Sequence, residues 1–142
     1  MKSTLQTEAT NGTTSNNCRH ERVMLIDDNT MDNFINKRLI ESCDFGAEII
    51  VCNSAQEALD YFTAKQPLPT VIFLDINMPE MNGFEFLEAY ENLSEEIHQK
   101  CKVLMLSTSE SFKDLNKANK NRFVKKFLNK PLTVDVLKAI NV

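Results

Sequence analysis

Several short apolar runs in this chain end on groups that can do chemistry. Val23-Met24-Leu25-Ile26 leads into Asp27-Asp28, and Val71-Ile72-Phe73-Leu74 leads into Asp75. Val103-Leu104-Met105-Leu106 ends at Ser107, and the run from Phe123 to Leu128 is followed by Asn129-Lys130. Taken singly, each polar residue also reads as an ordinary turn or cap residue. Taken together they are three acids, a hydroxyl and an amine at the same relative position in successive elements. Two carboxylates roughly 5 Å apart repel by about 3 kcal/mol at an effective dielectric near 20. Clustered acids therefore either raise a pKa or recruit a cation, and one lysine cannot offset three of them. An all-oxygen site with room for water and phosphate oxygens suits Mg²⁺. Beside it, Asp75 has the makings of a nucleophile for phosphoryl transfer, with Lys130 and Ser107 placed to stabilise the transferred group.

The elements that must position these residues follow from patterning. The run Val23–Ile26 is short and continuous, as in a strand covered on both faces, and Phe123 to Leu128 reads as the fifth strand. A further strand, Ile49-Ile50-Val51-Cys52, ends at Asn53-Ser54. Helical spacing links Met31, Phe34, Ile35 and Leu39 in a segment capped by Asn29 or Thr30 and ending near Gly46. Ser54 and Glu57 form a capping box before a helix with Ala55, Ala58, Leu59 and Phe62 on its apolar face. Phe84, Leu87 and Tyr90 mark a third helix that fades into the polar stretch 91–100, where His98 is expected to face solvent. Phe112, Leu115 and Ala118 mark a weak helix over 111–120, and Thr133 caps a last one with Val134, Leu137 and Ile140. Five strands alternating with five helices imply an α/β fold with a parallel sheet and right-handed crossovers. In the common strand order 2-1-3-4-5, Asp27, Asp28 and Asp75 converge at the switch point of the sheet, where ligands bind. Ser107 lies one strand further and Lys130 beyond it.

The 142 residues suit a single domain, expected over residues 21–142, after a flexible polar tail at 1–20. At 42% hydrophobic and 25% charged residues the composition is that of an ordinary globular protein, and its net charge of −4 gives no overall field for nucleic acid or an anionic membrane. The late basic run (Lys113, Lys117, Lys120, Arg122, Lys125, Lys126, Lys130) lacks interleaved aromatics and reads as a solvated face. The four cysteines form no CxxC pair, which suits free thiols in a reducing cytoplasm. No run approaches membrane-spanning length. A cytoplasmic protein is expected.

The sequence closely resembles the receiver domain of two-component response regulators. The resemblance is carried by Leu25-Ile26-Asp27-Asp28, by Phe73-Leu74-Asp75-x-x-Met78-Pro79-x-Met81-Asn82-Gly83, by Val103-x-Met105-Leu106-Ser107 and by Phe127-x-x-Lys130-Pro131, all in order. It implies a flavodoxin-like sheet with helices on both faces, here in a stand-alone, chemotaxis-Y-like receiver without an output domain. It implies that Asp75 accepts a phosphoryl group from a phosphohistidine on a sensor histidine kinase or histidine phosphotransfer protein. Asp28 and Asp75 would hold Mg²⁺ directly, with Asp27 in support and Asn77 contributing its backbone carbonyl. Lys130 would contact the phosphoryl group, and its bond to Pro131 would be cis. Ser107 and Phe127 take the positions of the switch hydroxyl and switch aromatic, while Thr108 and Ser109 flank access to the pocket. Phosphorylation would remodel the face of the fourth helix, fifth strand and fifth helix, whose basic run suits an acidic partner. Such a protein catalyses only its own phosphorylation and dephosphorylation.

Two departures stand out. Thr108 occupies a place where many relatives carry Ala or Gly, and the last helix, about two turns, is expected to pack weakly or to mark a missing C-terminal piece. Two other functions compete. A phosphorylation-independent docking module would have lost an acid or Lys130, and neither is missing. A small aspartyl-phosphate hydrolase would carry a second acid two residues after the nucleophile, where this chain has Asn77.

Overall fold

The computed structural model describes residues 18–108 and 112–142. Five strands, β1 (His20–Ile26), β2 (Gly46–Cys52), β3 (Val71–Asp75), β4 (Lys102–Ser107) and β5 (Val124–Asn129), form one sheet in the order β2-β1-β3-β4-β5. Every pairing is parallel, as expected. The helices are α1 (Thr30–Ser42), α2 (Ala55–Thr63), α3 (Gly83–Tyr90), α4 (Glu95–Lys100), α5 (Phe112–Lys120) and α6 (Val134–Ala139). β1 begins two residues before the Arg22 start read from the sequence; residues 1–17 of the expected tail lie outside the described residues.

Alternate side chains of the central strands feed two cores. Met24, Ile26, Ile72, Leu74, Val103 and Met105 face one side, with Phe62 of α2, Phe86 and Tyr90 of α3 and Ala118 of α5. Val23, Leu25, Phe73, Leu104 and Leu106 face the other, with Ile40 of α1 and Leu137 of α6. All five β3 residues are buried, and each large side chain of this kind contributes about 1.5–3 kcal/mol. The cores hold the sheet rigid, so the strand ends have fixed positions.

Local signals set the helix starts. Ser54 Oγ accepts from the Glu57 N–H at 3.1 Å, and Thr133 Oγ1 accepts from the Val136 N–H at 3.1 Å. Asn82 and Glu85 close a full capping box on α3, each side chain accepting from the other's backbone N–H at 2.9 Å.

Three expectations are corrected. First, stretch 91–100 is no fading end of α3 but contains a helix of its own, α4, so the described residues hold six helices rather than five. Its Ile97 is buried, and His98 is only 6% exposed. The His98 ring packs on Tyr90 and Phe123 at centroid distances of 4.9 and 4.6 Å, and its Nε2 donates to the Tyr90 carbonyl at 2.7 Å. The aromatic shelf covers the imidazole, and its bond to a carbonyl together with the Glu95 carboxylate 3.6 Å from its Nδ1 offsets the cost of burial. Second, Phe112 opens α5 exposed to solvent instead of joining an apolar face, leaving Ala118 as that helix's buried residue. Third, α6 does not pack weakly. Leu137 and Ile140 are buried, and the Arg19 guanidinium donates to the Leu137 carbonyl at 2.8 Å and also to the Ile140 carbonyl. A cation on the last carbonyls of a short helix satisfies groups that otherwise have no partner.

All four cysteines are free thiols. Burial pushes the Cys52 and Cys101 thiols up to about 12 and about 11, so both stay protonated and serve as packing groups.

Candidate functional site

The site lies at the C-terminal ends of β1 and β3. Asp27 and Asp28 follow β1 directly, and Asp75 is the last residue of β3. Each offers a carboxylate oxygen, and these oxygens all lie within 4.8 Å of one another. Asp27 and Asp75 are buried, whereas Asp28 is exposed. Parallel pairing of β1 with β3 makes this convergence unavoidable, because Ile26 is in register with Leu74.

Lys130, just beyond β5, reaches across the strand ends to this cluster. Its Nζ lies 2.7 Å from Asp27 Oδ2, 3.1 Å from Asp32 Oδ2 and 3.2 Å from Asp75 Oδ1. The Lys130 N–H donates to the Ser107 carbonyl at 2.8 Å, and the Lys130–Pro131 bond is cis. Ser107 ends β4 and is fully buried. Phe127 is half-buried on β5 against the first core. Asn77 is exposed two residues past Asp75. Thr108 is exposed and, with Ile35, Lys130 and Pro131, lines a cleft of about 250 Å³ beside the acids. Ser109 lies outside the described residues.

Burial and the Asp27 charge raise the Asp75 pKa from 3.8 to about 6, Lys130 opposing them and Asp28 adding to them. Burial works against the Lys130 ammonium. Its bonds to Asp27 and Asp32 and the charges of Asp75 and Asp27 outweigh that cost, so its pKa rises above the usual lysine value. The site thus holds one permanent cation and an excess of carboxylate charge. Three convergent carboxylates, all oxygen and partly open to water, fit a hard divalent cation such as Mg²⁺. The family model for the response regulator receiver domain matches residues 23–141.

The chain belongs to the response-regulator receiver family.

Its relatives place this receiver among regulators of varied size. The probable methanogenesis regulatory protein FilR2 of Methanothrix harundinacea is 31% identical over 120 residues, 82% of this chain and 76% of that protein. Two-component response regulator ARR2 of Arabidopsis thaliana is 28% identical over 119 residues, 84% of this chain but only 17% of the longer protein. A crystal structure of a two-component response regulator from Cytophaga hutchinsonii superposes with a TM-score of 0.75 at 31% identity, covering 84% of this chain and 92% of that one. A receiver protein from Dyadobacter fermentans gives 0.76 at 30% identity, over 83% and 92%. No helix among the described residues is long and apolar enough to cross a membrane.

The receiver's first helix turns most of its patterned apolar residues outward. Of the four residues at helical spacing, Leu39 packs against the second core, whereas Met31, Phe34 and Ile35 are 63%, 58% and 51% exposed. Asn33, Asn36 and Ile40 are buried in their place. The reason lies at the site. Asn33 Nδ2 donates to the Asp27 carbonyl at 2.8 Å and to Asn53 Oδ1 at 3.1 Å, and the Asn29 N–H donates to Asp27 Oδ1 at 3.0 Å. Where α1 crosses the strand ends it meets backbone and carboxylate oxygens, so its inner face must carry donors. Asp32 is likewise absent from the residues picked out by sequence. Its signal was an acid four residues after Asp28, which alone reads as a favourable first-turn acid.

The loop after β3 is built around Glu80, whose φ of 68° is left-handed, and Asn82 is the N-cap of α3. The Met81 N–H donates to the Pro79 carbonyl at 2.7 Å, and the Gly83 N–H donates to the Ile76 carbonyl at 2.8 Å. The chain therefore folds back onto the end of β3, and α3 starts against the strand that carries Asp75.

Proposed function

We propose that this receiver is a phosphorylation-activated signalling switch in which Asp75 accepts a phosphoryl group from a protein phosphohistidine, with Mg²⁺ as cofactor. One observation carries the reading: the buried Asp75 carboxylate lies between two further acids and 3.2 Å from the Lys130 ammonium. An ionised Asp75 oxygen attacks phosphorus, an O–P bond forms, and the N–P bond to the imidazole breaks, with the electron pair leaving on nitrogen. Asp28, Asp75 and the Asn77 backbone carbonyl would hold the metal, with Asp27 in support. When bound, Mg²⁺ supplies positive charge to the phosphoryl oxygens. Lys130 supplies the same from the protein, and the Ser107 hydroxyl donates to the group once transferred. Water attack on the aspartyl phosphate returns the protein to its resting state.

The added charge at Asp75 gives the switch its physical cause. Ser107 moves toward the phosphoryl group, Phe127 turns into the vacated space, and the face of α5, β5 and α6 is remodelled. Lys117, Lys120 and Lys125 give that face a basic character that fits an acidic downstream partner. Incubation with Mg²⁺ and a phosphodonor is expected to leave a base-labile, acid-stable phosphate on the wild type and none on Asp75→Ala. Phosphate retained by the variant overturns the assignment.

The exposed Met31, Phe34 and Ile35 support a protein donor. They form an apolar face on the helix whose first turn reaches Lys130 through Asp32, so a helix docked there brings its phosphohistidine to the pocket rim. Phe34→Glu is expected to slow transfer from a phosphorylated histidine kinase or phosphotransfer protein by roughly tenfold or more. Labelling by acetyl phosphate should be unchanged; equal losses with both donors would assign Phe34 to the fold rather than to docking.

Thr108 limits access to the same rim. Its side chain lines the cleft beside Lys130, and trimming it to Ala opens the approach. Thr108→Ala is expected to speed labelling by acetyl phosphate by about threefold or more, on the order of 0.7 kcal/mol in barrier. An unchanged rate disposes of the idea.

A further inference from the structure

Lys130 has three ammonium protons, and three carboxylates stand within reach of its Nζ. The hydrogen bonds go to Asp27 at 2.7 Å and to Asp32 at 3.1 Å, while Asp75 is an ion-pair neighbour at 3.2 Å. Asp32 differs from the others. It comes from the first turn of α1 rather than from a strand end, and its side chain is 37% exposed while those of Asp27 and Asp75 are almost fully covered. A first-turn acid needs no lysine, since the helix N-terminus already favours its charge. Its placement on Lys130 ties α1 to the reaction centre.

We propose that Asp32 is a positioning and specificity residue: it holds the Lys130 ammonium in its resting place and sets a negative charge at the pocket rim that disfavours small anionic phosphodonors. The inference rests on the phosphoacceptor reading given above. When a phosphoryl group forms on Asp75, its oxygens compete for Lys130 as strong acceptors. Asp32 is the carboxylate most readily released, because water can solvate it. Asp27 released in its place would be left buried with no cation and, among the described residues, only the Asn29 N–H as partner. Until then, Asp27, Asp28, Asp32 and Asp75 outnumber the single ammonium, and a bound dication still leaves one negative charge uncompensated. A free dianion such as acetyl phosphate meets that charge directly. A protein donor docked on the Met31, Phe34 and Ile35 face presents its phosphohistidine with neighbouring side chains that can answer Asp32. The residue therefore separates donors by charge and by the presence of a docking surface.

The test compares wild type, Asp32→Asn and Asp32→Glu with two probes, acetyl phosphate and the less negatively charged phosphoramidate, at saturating Mg²⁺. Asp32→Asn is expected to raise the acetyl phosphate rate constant by roughly tenfold at low salt and the phosphoramidate rate constant by less. Most of the gain should vanish at about 0.5 M salt, and Asp32→Glu should stay near wild type. A rate within about twofold of wild type, or an equal change with both donors, overturns the proposal. A second measurement needs neither metal nor phosphate. The side-chain ammonium NMR signal of Lys130 in metal-free protein is expected to be protected from exchange in wild type and to lose that protection in Asp32→Asn. If wild type takes phosphate at Asp75 but these variants behave alike, only the role of Asp32 fails. If wild type takes none from either donor, the phosphoacceptor reading fails and the donor selection falls with it, while the NMR result still reports separately on the tie to Lys130.

Discussion

Asp75→Asn is expected to make the metal-free protein more stable near neutral pH, by on the order of 2–3 kcal/mol, and to leave its stability at about pH 4 nearly unchanged. Burial, reinforced by the Asp27 charge, holds the folded carboxyl at about 6 against an ordinary value of 3.8. The folded state therefore binds this proton more tightly than the unfolded chain. The stability that Asp75 contributes is fully present below its ordinary value and is lost as pH rises through about 6. Each unit of difference is worth about 1.4 kcal/mol. Asparagine resembles the protonated acid in shape and cannot ionise, so it escapes this loss. Denaturant unfolding in chelator at about pH 4 and at about pH 7.5 measures both limits. A variant no more stable than wild type at the higher pH would show that Lys130 already neutralises the cluster. Adding Mg²⁺ should close the gap from the wild-type side, since a ligand held by the native acids stabilises only the protein that retains them. The fold thus tolerates a destabilising charge at the position where the proposed phosphoryl transfer would need an ionised nucleophile.

Gly83→Ala is expected to cost about 2 kcal/mol of stability and to slow phosphorylation by roughly tenfold or more. The glycine is not there for a left-handed backbone, since no glycine among the described residues has positive φ. It is there for contact. A Cβ at this position would sit 2.7 Å from the Asp75 carbonyl oxygen, 3.0 Å from Ile76 Cα and 3.0 Å from Met105 Cε. Two of those atoms are backbone of the segment that carries Asp75, and they cannot swing aside. Alanine's better helix propensity, about 1 kcal/mol, offsets part of the clash. The remainder appears as a shift of α3 or of Asp75 itself. Gly46 offers the contrast, because an added Cβ there meets side chains, with Val23 Cγ2 nearest at 2.6 Å. Gly46→Ala should therefore lose stability without slowing phosphorylation. Equal phosphorylation rates for Gly83→Ala and wild type would show that the strand end absorbs the strain without moving Asp75.

Much of this receiver was legible in the chain before folding. Continuous apolar runs named the three central strands, because strands covered on both faces have no polar alternation to obscure them. The partly exposed edge strands β2 and β5 were read from a run of four residues and from one interrupted by Lys125 and Lys126. Ser54 and Thr133 announced their helices through bonds that span only three residues. Asp27, Asp28, Asp75 and Lys130 could be grouped from sequence because parallel strands place their C-terminal ends on one edge. Whatever depends on local spacing or strand direction was written in the order of residues.

Tertiary structure decided which face of an element turns inward. In α1 the periodicity of Met31, Phe34 and Ile35 was read correctly as one face, and that face is outside. His98 shows the converse, a polar residue in a polar stretch that an aromatic shelf covers. Asp32 acquires its partner Lys130 only when the two ends of the domain meet. Hydrophobic patterning reports the affinity of a face for another surface. It does not say whether that surface is the protein's own core or a partner's. Above a pocket built from carboxylates and carbonyls the core itself demands donors, so Asn33 went in and the apolar face of Met31, Phe34 and Ile35 stayed out.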